Sequence, residues 1–258
     1  MKTLEKFAIG AVSYLNARPL LHGLPAKVSL LEPAALAAEY ARGAFDIALI
    51  PVVAALQHPG ARLLDAGIGA DGAVYSVILT LPKPLTAIKT VSLDSSSRTS
   101  VNLVKIILAR HYQRRVEYVP HGAPADAQVL IGTKAIDFRA AQPDTPVLDL
   151  AAAWKAYTGL PFIFAAWTVP PRSSMSAADL AAFRAATLSG LAHRQRIARN
   201  DFELRYLTRY IRYELTADYQ AAVPRLAAEL RALNLLPAAP QVCFAAPSSN
   251  GTMHPGIL

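Results

Sequence analysis

The sequence contains a single cysteine, Cys243, among 258 residues. One cysteine cannot form an intrachain disulfide, and it cannot build a metal cluster held by several thiolates. Charged residues make up only 17% of the chain, and no apolar run approaches the 18 residues that a membrane-spanning helix needs. The composition is 53% hydrophobic, which suits a sizeable core in one large or two small domains. We therefore expect a globular protein that is stabilised by packing.

The N-terminus shows little sign of a targeting segment. The apolar run FAIGAV follows Lys2 and Lys6, but it is shorter than the apolar region of a typical signal peptide, and Glu5 interrupts the basic stretch. We interpret this run as the first strand of the fold. A cytoplasmic location is therefore expected.

Acidic residues are fewer than basic ones, 18 against 26, so the net charge is +8. A nucleic-acid surface is one explanation, but no helix-turn-helix, zinc-finger or single-strand-binding signature is present. A solvated basic helix face is the favoured interpretation, and neither nucleic acid nor a membrane is expected as a partner. Much of the excess lies in one tyrosine-containing segment, at Arg194, Arg196, Arg199, Arg205, Arg209 and Arg212, with Tyr206, Tyr210 and Tyr213.

Short apolar strands alternate with amphipathic helices along the chain. This alternation predicts an α/β fold with mostly parallel sheets. Strands are predicted at FAIGAVSYL, VSLLE, FDIALIPV, AVYSVILTL, TVSLD, VEYVP and AQVLIG. Helices are predicted at PAALAAEYARG and SRTSVNLVKIILARHY, and over 177–213 and 217–233.

Two proline-containing segments interrupt the pattern, LPKPLTAI at 81–88 and LPFIFAAWTVPPRSS at 160–174. We interpret them as two crossings between lobes. One lobe is then expected to contain residues 1–82 and 168–258, and the other residues 83–167. Two crossings form a hinge, so a ligand cleft between the lobes is predicted.

Polar segments follow the predicted strands at the ends where open α/β sheets bind ligands. The longest of them, Ser95–Ser100, also begins a helix, whose unpaired N–H groups and dipole favour a carboxylate or phosphate. A generously capped helix is the plainer alternative. Because these segments are neutral or basic, the cleft is predicted to hold an anion. The candidate binding residues are Ser13, Tyr14, Asn16, Arg18, Pro51, Ser96, Ser97, Arg98, Thr99, Ser100, Gly132 and Thr133.

Several motifs in this order and spacing resemble the chorismate dehydratases of the futalosine route to menaquinone. They are SYLNARPL, FDIALIPV, SLDSSSRTS, LIGTKAI and DLAAAWKAYTGLPFIFAAW. The resemblance begins at residue 7 and ends near residue 169, whereas the basic C-terminal third matches only in being helical. It implies a two-lobed fold like that of type II periplasmic binding proteins, in agreement with the lobes predicted above.

The resemblance also implies a reaction and a set of roles. Chorismate, a dicarboxylate, would lose water to give 3-[(1-carboxyvinyl)oxy]benzoate without a metal or an organic cofactor. Asn16 would lie in the active site, and the helix that begins near Ser97 would stabilise the charge that develops on the substrate. An amide is not a strong base, and Asp46 and Asp94 have plainer explanations beside a strand and at a turn. We therefore hypothesise that the substrate's own enolpyruvyl carboxylate takes the proton while Asn16 orients it.

Other residues keep two explanations each. Tyr14 lines the cleft or simply packs after a strand. Arg18 pairs with a substrate carboxylate, or it is an exposed turn residue before Pro19. Phe162 is predicted to bind substrate, and together with Trp154 it is expected to pack at the hinge and the cleft wall.

Two other functional classes fit the same fold. A solute-binding module would capture a small anion without chemistry. An effector-sensing domain of a transcription regulator would require a DNA-binding domain, which we do not expect because the first predicted strand begins near residue 7.

Overall fold

The computed structural model describes residues 4–25, 27–94, 97–236 and 243–245. The strands are β1 (Ile9–Val12), β2 (Val28–Leu31), β3 (Ile47–Pro51), β4 (Arg62–Ala70), β5 (Val77–Thr80), β6 (Thr90–Leu93), β7 (Glu117–Pro120), β8 (Ala127–Ile131), β9 (Val147–Asp149), β10 (Phe162–Val169), β11 (Arg212–Glu214) and β12 (Cys243–Phe244). The α-helices are α1 (Arg18–Leu21), α2 (Pro33–Arg42), α3 (Val52–Ala55), α4 (Arg98–Ile106), α5 (Gly132–Ala141), α6 (Leu150–Thr158), α7 (Ala177–Ser189), α8 (Arg194–Ile197), α9 (Asp201–Arg205) and α10 (Ala217–Ala232).

The strands form two sheets. The first sheet has the order β11–β4–β10–β3–β1–β2, with β12 beside β4. The second sheet has the order β7–β6–β8–β5–β9. Strand β3 is buried at every position because it lies between β1 and β10 and is covered by helices. All seven strands predicted from the sequence are present, so the local alternation of apolar runs and helices was sufficient to find them.

The sheets are mixed, so the expectation of mostly parallel sheets is wrong. Five of the ten strand pairings in the described residues are antiparallel. Three of these five involve β4 or β10: β4 pairs with β10, β4 pairs with β11, and β10 pairs with β3. The sequence interpretation missed β4 and assigned β10 to a crossing, and it therefore missed the antiparallel centre of the first sheet.

Helix boundaries follow local capping signals. Helix α2 ends at Gly43, whose φ of +86° favours glycine. Helix α7 begins with a capping box in which Ser176 and Asp179 satisfy each other's backbone N–H groups. The predicted helix from residue 97 is present as α4 and continues as a π-helical turn, Ile107–His111.

The single helix predicted over 177–213 is in fact broken. Helix α7 is followed by a 3-10 turn, Gly190–His193, and by α8 and α9. Asn200 has an extended backbone and accepts a hydrogen bond from Glu203 N, so it starts a new helix. The segment then ends in a π-helical turn, Tyr206–Tyr210, and in strand β11. The helix predicted over 217–233 is present as α10.

The chain changes sheet twice, through residues 71–76 and again through residues 159–161. These positions differ from the predicted crossings, because β5 already belongs to the second sheet and β10 belongs entirely to the first. The proline-containing segment at 81–88 instead joins β5 to β6 within the second sheet. None of the helices in the described ranges is long and apolar enough to cross a membrane.

Candidate active site

A cleft lies between the two sheets and is lined by residues of both. Its empty volume, open mouth included, is about 580 Å³, which suits a small molecule. Its lining is mainly apolar with a few hydroxyl and amide groups, as expected for a site that orients one ligand. The lining residues are Val12, Tyr14, Asn16, Pro33, Pro51, Ile68, Val74, Ser76, Val77, Ser97, Thr99, Ser100, Ile131, Phe164 and Ala165.

Asn16 lies in a 3-10 turn, Leu15–Ala17, that begins three residues after the end of β1. Its Nδ2 donates a hydrogen bond of 3.4 Å to the hydroxyl of Tyr206. Its Oδ1 is buried and has no hydrogen-bond partner within the described part of the chain. A buried amide oxygen without a donor costs about 1–3 kcal/mol, and a donor on a bound ligand would remove this cost.

The N-terminus of α4 also lines the cleft. Ser97 is its cap: its Oγ accepts from Ser100 N at 3.2 Å, and its hydroxyl donates to Ser100 Oγ at 3.0 Å. Thr99 and Ser100 are each only 2% exposed, and Thr99 Oγ1 has no partner among the described residues. A helix N-terminus beside a buried, unpaired hydroxyl is suited to bind a carboxylate oxygen.

Two residues outside the predicted set extend the polar part of the site. Ser76 lines the cleft, Tyr206 lines a smaller hollow beside it, and Ser76 Oγ lies 2.8 Å from the hydroxyl of Tyr206. Both residues are 1% exposed. Burial raises the pKa of Tyr206 to about 12, so its phenol is neutral at physiological pH. The arginines around Tyr206 in the sequence favour a basic surface face, and Ser76 belongs to a predicted strand.

Some predicted residues lie at the edge of the cleft. Gly132 and Thr133 line a smaller hollow of about 210 Å³ that shares Tyr14 and Asn16 with the cleft. Tyr14 lines both hollows, and its hydroxyl donates to Glu32 Oε2 at 3.0 Å. Tyr14 therefore lines the cleft, as one explanation predicted, and its hydroxyl is bonded to Glu32, the N-cap residue of α2.

Other predicted residues in the described ranges do not line the cleft. Ser13 and Arg18 are exposed, and Arg98 is exposed with its Nη1 3.4 Å from Gln57 Oε1. Phe162 is 1% exposed and packs on Trp154 with ring centroids 5.3 Å apart. Ser96 lies outside the described residues.

Phe164, two residues after Phe162, lines the cleft instead. A register shift between Ile163 and Ala165 in the pairing of β10 with β4 marks an irregularity at this position. Sequence alternation alone does not reveal such a shift, so the wrong aromatic residue was assigned to the cleft.

The two aspartates considered as bases have structural partners. Asp46 accepts from Ala8 N at 3.0 Å, and buried Asp94 pairs with Lys134 Nζ at 3.0 Å. The described residues that line the cleft include no carboxylate and no histidine. Within the same described ranges, no group of three or more His, Cys, Asp or Glu side chains is placed to hold a metal ion.

Two mixed sheets with a ligand cleft between them, joined by two connections, define a periplasmic-binding-protein-like fold. Solved structures show this likeness. A protein of Archaeoglobus fulgidus aligns with a TM-score of 0.70 at 16% identity, over 89% of this chain and 98% of its own. The periplasmic aliphatic sulphonate binding protein of Escherichia coli aligns with a TM-score of 0.59 at 14% identity, over 91% of this chain and 94% of its own. These likenesses confirm the predicted fold class.

Within that class, the chain belongs to the menaquinone biosynthesis family, whose model matches residues 7–232. A chorismate dehydratase of Thermus thermophilus is 30% identical in an alignment of 220 residues that covers 76% of this chain and 81% of that protein. The family match extends well beyond residue 169, where the resemblance noted from the sequence ends, and it includes Tyr206.

Proposed function

We propose that this protein is a chorismate dehydratase, a carbon–oxygen lyase that acts in the cytoplasm on the futalosine route to menaquinone. One observation carries the proposal: Asn16 and Thr99 line the same cleft, and each has a buried oxygen without a hydrogen-bond partner in the described chain. Thr99 also lies at the N-terminus of helix α4. Membership of the menaquinone biosynthesis family and the likeness to a chorismate dehydratase support the same assignment.

The reaction needs no net electron transfer. Removal of the proton from the ether-bearing ring carbon delocalises charge through the diene to the ring carboxylate. Loss of hydroxide from the neighbouring carbon then makes the ring aromatic, and the proton and hydroxide together give one water. The catalyst therefore has to position a dicarboxylate and to stabilise an enediolate, and we propose that it does so without a cofactor.

The N-terminus of α4 is placed for the second task. Thr99 and Ser100 present hydroxyl groups beside the positive end of the helix, in a cleft whose walls are mainly apolar. Donors that are fixed in such a site contribute about 3–4 kcal/mol each to transition-state stabilisation. We propose that this group holds the ring carboxylate on which the negative charge collects.

The proton acceptor is proposed to be the substrate's own enolpyruvyl carboxylate, which lies next to the proton to be removed. The carboxylate-free lining of the described cleft supports this arrangement. The protein then contributes by positioning the two groups, which can supply a large part of the rate enhancement.

Incubation of the purified protein with chorismate, followed by mass analysis, tests the proposal. We expect loss of one water and the appearance of an aromatic absorbance, with the same rate in the presence of a chelator. A heat-inactivated sample is the control for spontaneous decay of chorismate. Retention of bound, unchanged chorismate would favour the alternative, a solute-binding protein that captures an anion without chemistry.

A further inference from the structure

The hydroxyl of Tyr206 joins the two sides of the cleft. Its oxygen lies 3.4 Å from Asn16 Nδ2 and 2.8 Å from Ser76 Oγ. Asn16 follows β1 of the first sheet, whereas Ser76 directly precedes β5 of the second. Tyr206 itself comes from the C-terminal segment, 190 residues from Asn16 in the sequence. One buried hydroxyl therefore connects the amide of the candidate active site to a serine of the opposite side.

The direction of each hydrogen bond follows from the chemistry of the groups. Asn16 Nδ2 is only a donor, so the Tyr206 oxygen accepts from it. Tyr206 is 1% exposed, and Ser76 Oγ is the remaining partner of its hydroxyl among the described residues. A buried O–H group without an acceptor is costly, so Tyr206 donates to Ser76. The Ser76 hydroxyl then keeps its own hydrogen for the cleft, which Ser76 lines.

The same bond fixes the orientation of Asn16. With Nδ2 directed to Tyr206, Oδ1 is the part of the amide left without a protein partner in the described residues. Chorismate at neutral pH carries one O–H donor, its ring hydroxyl, and its other oxygens are acceptors. Asn16 Oδ1 is therefore matched to the ring hydroxyl, and Ser76 is matched to an anionic oxygen.

Irregular backbone holds both partners of the Tyr206–Ser76 bond. Tyr75, the residue before Ser76, has a φ of +71°, which is rare for a residue with a side chain. Tyr206 begins a π-helical turn in which Ile211 N donates to Tyr206 O at 3.2 Å. Both features are concentrated at functional sites, where the surrounding structure maintains them.

We infer that Tyr206 is a positioning residue that orients Asn16 and Ser76, and that Ser76 is a further residue that donates to the substrate. This inference rests on the proposed function. The basic C-terminal segment thereby has a role: it carries Tyr206, which determines where the cleft presents a hydrogen-bond donor and where it presents an acceptor.

Tyr206→Phe tests the inference because it removes the hydroxyl and keeps the buried ring. We expect kcat to fall by about tenfold or more while KM changes by less than about threefold, since the N-terminus of α4 still holds the ring carboxylate of the substrate. Ser76→Ala should lower kcat/KM in the same direction. Tyr213→Phe is the matched control: Tyr213 is 3% exposed, and its hydroxyl has no partner in the described chain. Its kcat should stay within about twofold of wild type.

A comparison in a mutant background separates positioning from a general loss of stability. If Tyr206 acts through Asn16 and Ser76, Tyr206→Phe should lower kcat by less than about threefold in a background that carries both Asn16→Ala and Ser76→Ala. Full additivity, or a Tyr206→Phe enzyme as active as Tyr213→Phe, would overturn the inference while leaving the proposed function intact. A wild-type protein that does not convert chorismate would overturn both.

Discussion

The carboxylate of Asp149 accepts a hydrogen bond of 2.7 Å from the backbone N–H of Tyr75. It also accepts from Val74 N at 3.1 Å and, as the cap of α6, from the N–H groups of Ala151 and Ala152 at 3.2 and 3.1 Å. One carboxylate thus ties a connection between the sheets to a helix N-terminus. Because Tyr75 has a positive φ, this clamp offsets local backbone strain directly beside Ser76.

Replacement of Asp149 by alanine should therefore be costly. Loss of the helix cap should lower the free energy of unfolding by about 1 kcal/mol. Each lost hydrogen bond between the carboxylate and the segment that joins the sheets should lower it by roughly 1.5–3 kcal/mol. We expect the free energy of unfolding to fall by about 3 kcal/mol or more in urea titrations. Asp144→Ala, at an exposed acidic position in the preceding loop, is the control and should change it by less than about 0.5 kcal/mol. Equal changes in the free energy of unfolding for the two variants would show that Asp149 does not stabilise this segment.

Two neighbouring hydroxyls at the start of α4 should behave differently. Ser100 Oγ is bonded to Ser97, whereas Thr99 Oγ1 has no partner in the described chain. Thr99→Val should leave the melting temperature nearly unchanged and weaken binding of the product by roughly 1.5–3 kcal/mol, because it removes a donor to a charged group. Ser100→Ala should lower both stability and affinity.

Isothermal titration with 3-[(1-carboxyvinyl)oxy]benzoate and thermal melts of the same samples measure both effects. Normal binding by Thr99→Val would show that the anion is held elsewhere in the cleft.

Local sequence pattern predicted the elements that carry their own signals, and it failed where structure depends on distant pairing. Strand β3 is a continuous apolar run, and α2 has a regular apolar face, so both were found. Strand β4, with the sequence RLLDAGIGA, is rich in glycine and alanine and becomes a strand because β10 and β11 pair with it.

The candidate site shows the same division. Asn16 and the α4 N-terminus belong to motifs that follow predicted strands, so the sequence placed them in the cleft. Tyr206 contacts Asn16 although the two residues are 190 positions apart in the sequence, and no local pattern contains such a contact.

Protonation of Asp126 is expected to lower the stability of the protein in acid. Its Oδ1 accepts from Lys83 Nζ at 2.6 Å, and its Oδ2 accepts from Lys89 N at 2.7 Å. These bonds lower the pKa of Asp126 to about 2. Because the carboxyl pKa is lower in the folded than in the unfolded state, the stabilisation is present above about pH 4 and is lost between about pH 4 and pH 2.

Asp126→Asn should therefore flatten the fall in melting temperature over this pH interval, and Asp144→Asn serves as the comparison. A fall as steep as that of the wild type would show that other carboxylates determine the acid response.

Closure of the cleft is expected when ligand binds. The chain joins the two sheets through residues 71–76 and 159–161, and the proposed ligand contacts lie on both sides. Hinged lobes commonly close around a ligand that they share. Small-angle scattering should show a smaller radius of gyration with saturating product. Thr99→Val should need more product for the same change, and an unchanged radius in the wild type would indicate a permanently closed site.

Asn16→Ala gives the most direct test of the candidate active site. An asparagine in a turn commonly bonds its own backbone. In the structure its amide instead reaches Tyr206 at 3.4 Å, a long bond whose loss should affect the melting temperature only slightly. The functional atom is the buried Oδ1, which has no partner among the described residues. We therefore expect kcat/KM to fall by about 100-fold or more, which corresponds to about 2.7 kcal/mol of transition-state stabilisation.

Asn200→Ala is the matched control for this variant. Asn200 caps α9 by accepting from Glu203 N at 2.9 Å, and it does not line the cleft. Its replacement should cost about 1 kcal/mol of stability because a helix cap is lost, while kcat/KM of the folded enzyme stays near the wild-type value. The two asparagines should thus show opposite behaviour in melting and steady-state measurements on the same preparations. An Asn16→Ala enzyme that is destabilised but fully active would remove Asn16 from the mechanism, and with it the orientation of the substrate hydroxyl inferred from Tyr206.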